Sequence, residues 1–213
     1  MLTATNKYPF FELFEIVPEI DLAYKPYQPL KPVKAGNFIP DLAFKSNQLR
    51  WQRFYSGTET FAPVLLRQLL NKPLVLSFYS KHWKDKGLDQ LTRLSALRNE
   101  IVANGGNLLV INSENDNDLA KTAWENDLSL NFYNDEDHEI AEMFRVYSEN
   151  YPVWNWFSGI DVNVPLLATY VIDPLKQVVY ADANMDLTGD FSPEEILEAV
   201  YESALIRNNK RSA

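Results

Sequence analysis

Leu74-Val75-Leu76-Ser77-Phe78-Tyr79 is the stretch from which the fold can be read. An apolar run of this length, stopped upstream by Lys72-Pro73, leaves no hydrophilic face, so it reads as a strand covered on both sides, as in a parallel sheet. Downstream, Leu88, Leu91, Leu94, Leu97 and Ile101 recur at spacings of three and four, which predicts a long amphipathic helix closed by the C-cap Asn104-Gly105-Gly106. Residues 108–111 repeat the buried-strand pattern. A helix through Leu119, Ala123 and Trp124 and a strand over 128–133 follow. Asp135 or Asp137 can cap a helix whose Ile140, Met143, Phe144 and Tyr147 share one face. Strands and helices that alternate in this way build a parallel α/β core through crossover connections.

Towards the C-terminus the pattern changes. Residues 167–172 and 177–181 read as two strands around Asp173-Pro174-Leu175-Lys176, whose turn chemistry argues for an antiparallel hairpin. Ser192-Pro193-Glu194-Glu195 opens a final helix with an N-cap, a proline at the first position and acids in the first turn. Its apolar face is Ile196, Leu197, Val200 and Leu205. Upstream of the core, alternation over 37–44 and 49–54 predicts a short hairpin, and 60–70 a helix with Pro63 in its first turn. Residues 1–35 carry Pro9, Pro18, Pro26, Pro29 and Pro32 among Tyr and Phe with no sustained period. They read as an extension, either laid over the domain's own apolar face or exchanged with a partner subunit. The expected division is an N-terminal extension over 1–35 and one α/β domain over 36–213.

Composition removes many functions. The chain has 213 residues, with 20 Lys plus Arg against 29 Asp plus Glu, a net charge of −9 and no concentrated basic run, so nucleic acid is not an expected partner. It has no cysteine, which excludes a disulfide framework, a thiolate metal cage, a thiol nucleophile and a redox pair. Seven glycines spell neither GxGxxG nor GxxxxGK[ST]. With His82 and His138 as its two histidines, the chain cannot supply a three-histidine metal site. No cofactor is expected. The first residues lack a basic region followed by an unbroken apolar core, and no run of about 18 apolar residues occurs, so the reading is a cytoplasmic protein without a membrane span.

Several segments, in order, resemble one family. Gly36-Asn37-Phe38-Ile39-Pro40-Asp41-Leu42-Ala43-Phe44 is similar to an opening G-x-x-x-P-D-F strand. Ser77-Phe78-Tyr79-Ser80-Lys81-His82-Trp83 is similar to a strand and turn that reads F-Y-R-x-x-W-C-x-x-C in one branch. Residues 134–146 resemble a D-x-x-x-x-x-A-x-x-F-G-V segment, Ala168-Thr169-Tyr170-Val171-Ile172-Asp173 an A-T-Y-V-I-D strand, and 191–200 a closing helix. Together these resemble the peroxiredoxin-like proteins of the alkyl hydroperoxide reductase and thiol-specific antioxidant group. The resemblance implies a thioredoxin-like α/β fold, a three-layer sandwich with a mixed sheet, over about residues 36–206, and it leans towards a homodimer.

The resemblance fails where chemistry is required. The family's peroxidatic cysteine, which follows the tryptophan Trp83, falls on Lys84, and the second cysteine of C-x-x-C falls on Gly87. An ammonium cannot cycle through a sulfenic acid. The family's cis-proline or active-site arginine region lies where this chain has Leu166-Leu167, with Pro165 two places early.

The expectation is therefore a protein without thiol chemistry that acts as a binding or assembly module, its small-molecule or protein ligand unidentified. The competing reading is an enzyme with non-thiol chemistry at residues 82–86, with His82 as base, Asp85 orienting it and Lys84 or Lys86 holding an anion. Against this stands the reading in which Asp85 caps a helix and the lysines are solvated. His82, Lys84, Lys86 and Leu167 are candidate ligand contacts. Acidic loops over 112–118 and 135–139, with Asp135, Asp137 and His138, have oxygen ligands that suit a hard cation, or else cap helices. The aromatic segment Tyr151-Pro152-Val153-Trp154-Asn155-Trp156-Phe157 either closes the core's edge or joins two subunits.

Overall fold

Every residue of strand β3 (Leu74–Tyr79) is buried, as its apolar run, interrupted by Ser77 alone, leads one to expect. The computed structural model describes residues 30–45, 50–61, 69–113, 118–183, 185 and 191–211, with side chains as far as 205. Around β3 lie β1 (Trp51–Tyr55), β2 (Thr58–Glu59), β4 (Asn107–Asn112), β5 (Asn131–Asn134), β6 (Ala168–Ile172) and β7 (Val178–Ala183), in the order β2-β1-β5-β4-β3-β6-β7. β3, β4 and β5 run parallel, while β6, β7, β1 and β2 pair antiparallel, so the sheet is mixed. Helices α1 (Lys84–Ala103), α2 (Leu119–Glu125), α3 (Glu139–Met143) and α4 (Pro193–Arg211) complete an α/β domain of the thioredoxin-like kind.

Alternation along the strands sends side chains to two cores. Val75, Tyr79, Leu108, Val110, Phe132 and Val171 meet α1, α2 and α4 on one face. Leu74, Leu76, Phe78, Leu109, Ile111, Tyr133 and Tyr170 meet α3 and the segment that leads into β6 on the other. Three layers result. Ser77 is the polar exception within β3, and its hydroxyl lies 3.2 Å from the Ala168 carbonyl and 2.9 Å from the Thr169 hydroxyl. Left unpaired, such a buried hydroxyl costs about 1–3 kcal/mol, so these partners let a serine occupy the central strand.

The β6–β7 hairpin follows from Asp173. Its Oδ1 accepts from the backbone N–H groups of Leu175 and Gln177, at 2.8 Å each, and Lys176 takes φ +69°. This aspartate sets the turn with its own side chain.

Other expectations need correction. Among the described residues, the segment 37–44 does not pair with 50–54. Gly36 and Ile39 donate to the carbonyls of Val178 and Lys176, and Val178 donates to Asn37, so this stretch lies along the start of β7. β1 instead turns through Ser56-Gly57, both at positive φ (44° and 72°), into β2. That is a two-residue hairpin of the type whose twist suits its strands. The strand expected over 128–133 is assigned from Asn131, because Leu128 and Leu130 give their carbonyls to Gly57 and Phe54 before the parallel ladder starts. Leu205, expected on the buried face of the last helix, is exposed, whereas Ile196 and Val200 are fully buried. Most of the helix expected over 60–70 and residues 1–29 of the extension lie outside the described residues. Leu30 and Val33, just ahead of residue 36, are buried in the core, with Val33 N–H bonded to the Phe144 carbonyl at 3.0 Å.

The helix expected to run through Tyr147 stops at Met143. Val146 N–H returns to the Ala141 carbonyl and Arg145 N–H to that of Glu142, while Arg145 sits at φ +56°. This is a Schellman closure, whose left-handed position usually belongs to glycine. Arg145 is exposed, and its side chain makes no hydrogen bond with the described residues. Arg145→Gly should therefore raise unfolding free energy by up to about 1 kcal/mol in urea titrations, glycine's greater unfolded-state freedom offsetting part of the relieved strain. A loss of stability would show that the arginine does more than tolerate the turn.

Candidate functional site

In an α/β sheet, sites form beyond the carboxyl ends of the parallel strands. At that end of β3, Ser80 closes a short 3-10 turn over Lys81–Trp83: its Oγ accepts from His82 N–H at 3.2 Å, and its carbonyl accepts from Trp83 N–H at 3.2 Å. The turn divides the predicted residues. Trp83 points inward at 5% exposure, while Lys84, Asp85 and Lys86 face solvent and His82 is half-buried. The indole Nε1–H of Trp83 donates to the Pro165 carbonyl at 2.8 Å, and its ring meets Phe157 edge-on at 5.1 Å. Leu167 is buried in the same cluster. The inward side of the turn is thus occupied by the Trp83 indole, packed on Phe157.

Lys84 begins α1 with φ +52° and ψ −129°, a backbone region that suits glycine and costs another residue on the order of 1–3 kcal/mol. Its Nζ donates to the Gly159 carbonyl at 3.2 Å, which draws the chain ahead of β6 to the turn. Gly87 lies one turn further into the helix, where a Cβ would stand 3.1 Å from the Ser80 carbonyl oxygen, 3.1 Å from the Tyr79 ring and 3.2 Å from Trp83 Cβ. That room has closed around a residue without a side chain. Asp85 lies in the first turn of α1 but makes no side-chain cap. Its carboxylate has no hydrogen-bond or ion-pair partner among the described residues, so it does not orient His82.

The acidic loop after β5 is occupied by structural bonds. Asp135 Oδ2 accepts from Ile140 and Ala141 N–H at 3.0 Å each, capping α3, and burial raises its pKa despite those two bonds. Asp137 pairs with Lys45 at 2.6 Å and Arg50 at 2.9 Å, and those hydrogen bonds lower its pKa. His138, at φ +56°, stacks on Tyr147 with centroids 4.0 Å apart. No group of three His, Asp or Glu among the described residues is arranged to hold a metal ion. In the other acidic loop, residues 114–117 lie outside the described ones.

The aromatic segment divides as well. Val153 is buried, Tyr151, Trp156 and Phe157 pack against the core, and Trp154 remains 46% exposed. The roles of Phe157, Gly159 and Pro165 as partners of the turn had no local sequence signal, because they lie 74 to 82 positions from the residues they contact.

The sequence profile of the AhpC/TSA family matches residues 36–181. No curated protein sequence matches the chain. Among solved structures, the peroxidoxin BcpB of Mycobacterium tuberculosis is similar at 18% identity and TM-score 0.54, over 82% of this chain and 97% of that one. The reduced 2-Cys peroxiredoxin of Plasmodium vivax gives 18% identity and TM-score 0.56, over 85% and 86%. AhpC of Enterococcus faecalis gives 14% and 0.57, over 81% and 95%. At such identities the shared property is the fold.

The Asp137 cluster yields a pH test. A carboxylate whose folded pKa is lowered contributes stability above its unfolded value of about 3.9, and that contribution is lost as pH falls through the folded pKa. Asp137→Asn should therefore lower the denaturation midpoint at neutral pH, and the gap from the unaltered protein should close under acid. A gap that persists unchanged at the lowest pH would mean that the ion pairs are not its source.

Proposed function

The chain belongs to the AhpC/TSA family, and on that footing we propose that it is a member without peroxidase or disulfide-exchange chemistry, serving as a binding or assembly module on the retained scaffold. One observation carries this reading: Lys84 stands where the resemblance places the peroxidatic cysteine, in a chain with no cysteine at all. Peroxide reduction in this family needs a thiolate that attacks an oxygen and becomes a sulfenic acid, and an ammonium held to a carbonyl has no electron pair to offer. The surroundings support the reading. Trp83 packs on Phe157 beneath the turn, and Gly87 sits where a side chain would be crowded. The same packing weighs against relocated chemistry at residues 82–86.

The purified chain should show no thiol-dependent turnover of hydrogen peroxide or an alkyl hydroperoxide above a heat-inactivated control. Lys84→Cys should remain no faster than a free thiol, because the new sulfur would lack a second cysteine and an open pocket. Turnover that co-purifies with the unaltered chain would defeat the proposal.

We also propose a homodimer that uses the aromatic segment, with Trp154 as its outward residue. Sedimentation across a concentration series should give a dimer mass, and Trp154→Glu should shift the mass towards the monomer. A monomer at high protein concentration contradicts this association.

A further inference from the structure

Away from the Lys84 turn, an open groove of about 410 Å³ lies between the outer face of α1 and the β1–β2 turn. Its size falls within the range of about 300–1,000 Å³ usual for small-ligand sites. Thr92, Ser95, Ala96 and Asn99 line it from one helical face, Tyr55 and Ser56 from the hairpin, and Asn126, Asp127 and Ser129 from the chain between α2 and β5, with Arg98 at its wall.

The lining is rich in hydrogen-bond donors that the fold does not use. Ser129 N–H donates to Ser95 Oγ at 2.8 Å, and Ser56 N–H donates to Ser129 Oγ at 2.8 Å. Each hydroxyl oxygen has thus accepted a backbone proton, while its own O–H has no acceptor among the described residues. Arg98 is half-buried, with Cζ 5.9 Å from the Tyr55 ring centroid and Nη1 donating to Asn99 Oδ1 at 3.3 Å. Among the described residues it meets no carboxylate, although the chain carries 29 acidic residues. On the same helix Arg93 is paired with Asp89 at 2.9 Å. A guanidinium steadied by an aromatic ring and an amide, with donors left over, suits an oxyanion. Asp127 supplies the opposite function. Its exposed carboxylate is an acceptor without a side-chain partner among the described residues, held on a backbone at φ +51°.

We infer that this groove binds a small phosphomonoester that also carries hydroxyl groups, of the polyol or sugar phosphate class. The phosphate oxygens take the donors of Arg98, Ser95 and Ser129. A hydroxyl on the same ligand donates to Asp127, and Tyr55, 60% exposed, forms the apolar wall. A ligand with the anion alone would leave Asp127 as a repelling charge, so the lining selects for both groups.

The assignment rests on the binding role proposed above, and its test is independent of peroxide chemistry. The full chain, labelled with ¹⁵N, is titrated with glycerol 3-phosphate, inorganic phosphate and glycerol. Glycerol 3-phosphate should move the amide signals of Ser56, Ser95 and Ser129 in a saturable way. Inorganic phosphate should bind more weakly and glycerol should not bind. Arg98→Gln should weaken glycerol 3-phosphate about tenfold or more with the melting temperature unchanged, Asp127→Asn should reduce the preference over inorganic phosphate, and Arg93→Gln should do neither. The inference is overturned if the groove signals stay still, if glycerol alone saturates them, if the two phosphates bind equally, or if Arg98→Gln binds as the unaltered chain does. Any of those results removes the groove and leaves peroxide inertness standing, whereas peroxide turnover removes inertness and leaves the groove.

Discussion

Strand β3 is held between parallel β4 and antiparallel β6 with both faces buried, and this double enclosure fixes the rest of the domain. A strand so placed cannot slip by one residue without exchanging Leu76 and Phe78 for Val75 and Ser77 on the two cores. Its register therefore sets where Ser80 emerges. Antiparallel β6, paired from Phe78↔Ala168, brings the residues just before it to the same edge. Pro165 can then accept the Trp83 indole proton, and Leu167 enters the same core.

The consequence is a turn whose two sides differ, Trp83 facing the core and Lys84 facing solvent. At the end of β3 the inward position holds an indole that donates to Pro165, and the outward one an ammonium tied to Gly159. The unusual backbone of Lys84 persists because Trp83 is anchored on one side of it and α1 begins on the other. The donor-rich groove draws on residues about 8 to 15 positions further along α1, about 12 to 22 Å down the helix axis from that turn. Binding there would leave the turn undisturbed.

How much was legible in the sequence depended on the range of the interaction. Leu74–Tyr79 and the α1 stripe were readable because period and burial coincide over many residues, and the last hairpin because Asp173 carries its turn in one side chain. Ser56-Gly57 carries a local turn signal of its own, but the alternation on either side of residues 45–48 suggests a different pairing. Residues 128–130 deceived because apolar alternation reports burial, and Leu128 and Leu130 are indeed buried, before it reports ladder pairing. The absence of cysteine is plain from composition. What packs around Trp83 is not, because its contacts with Phe157 and Pro165 close over 74 and 82 positions.

The central claim is that the Trp83 indole is locked into the core beneath the Ser80 turn. Hydrogen exchange of its indole Nε1–H, followed by NMR in the native state, tests it most directly, with the 68% exposed Trp124 as the internal reference. The account predicts that the Trp83 indole proton exchanges far more slowly than that of Trp124, through large-scale opening of the fold. Exchange of the two indoles at similar rates would contradict it, because the turn would then open freely to solvent.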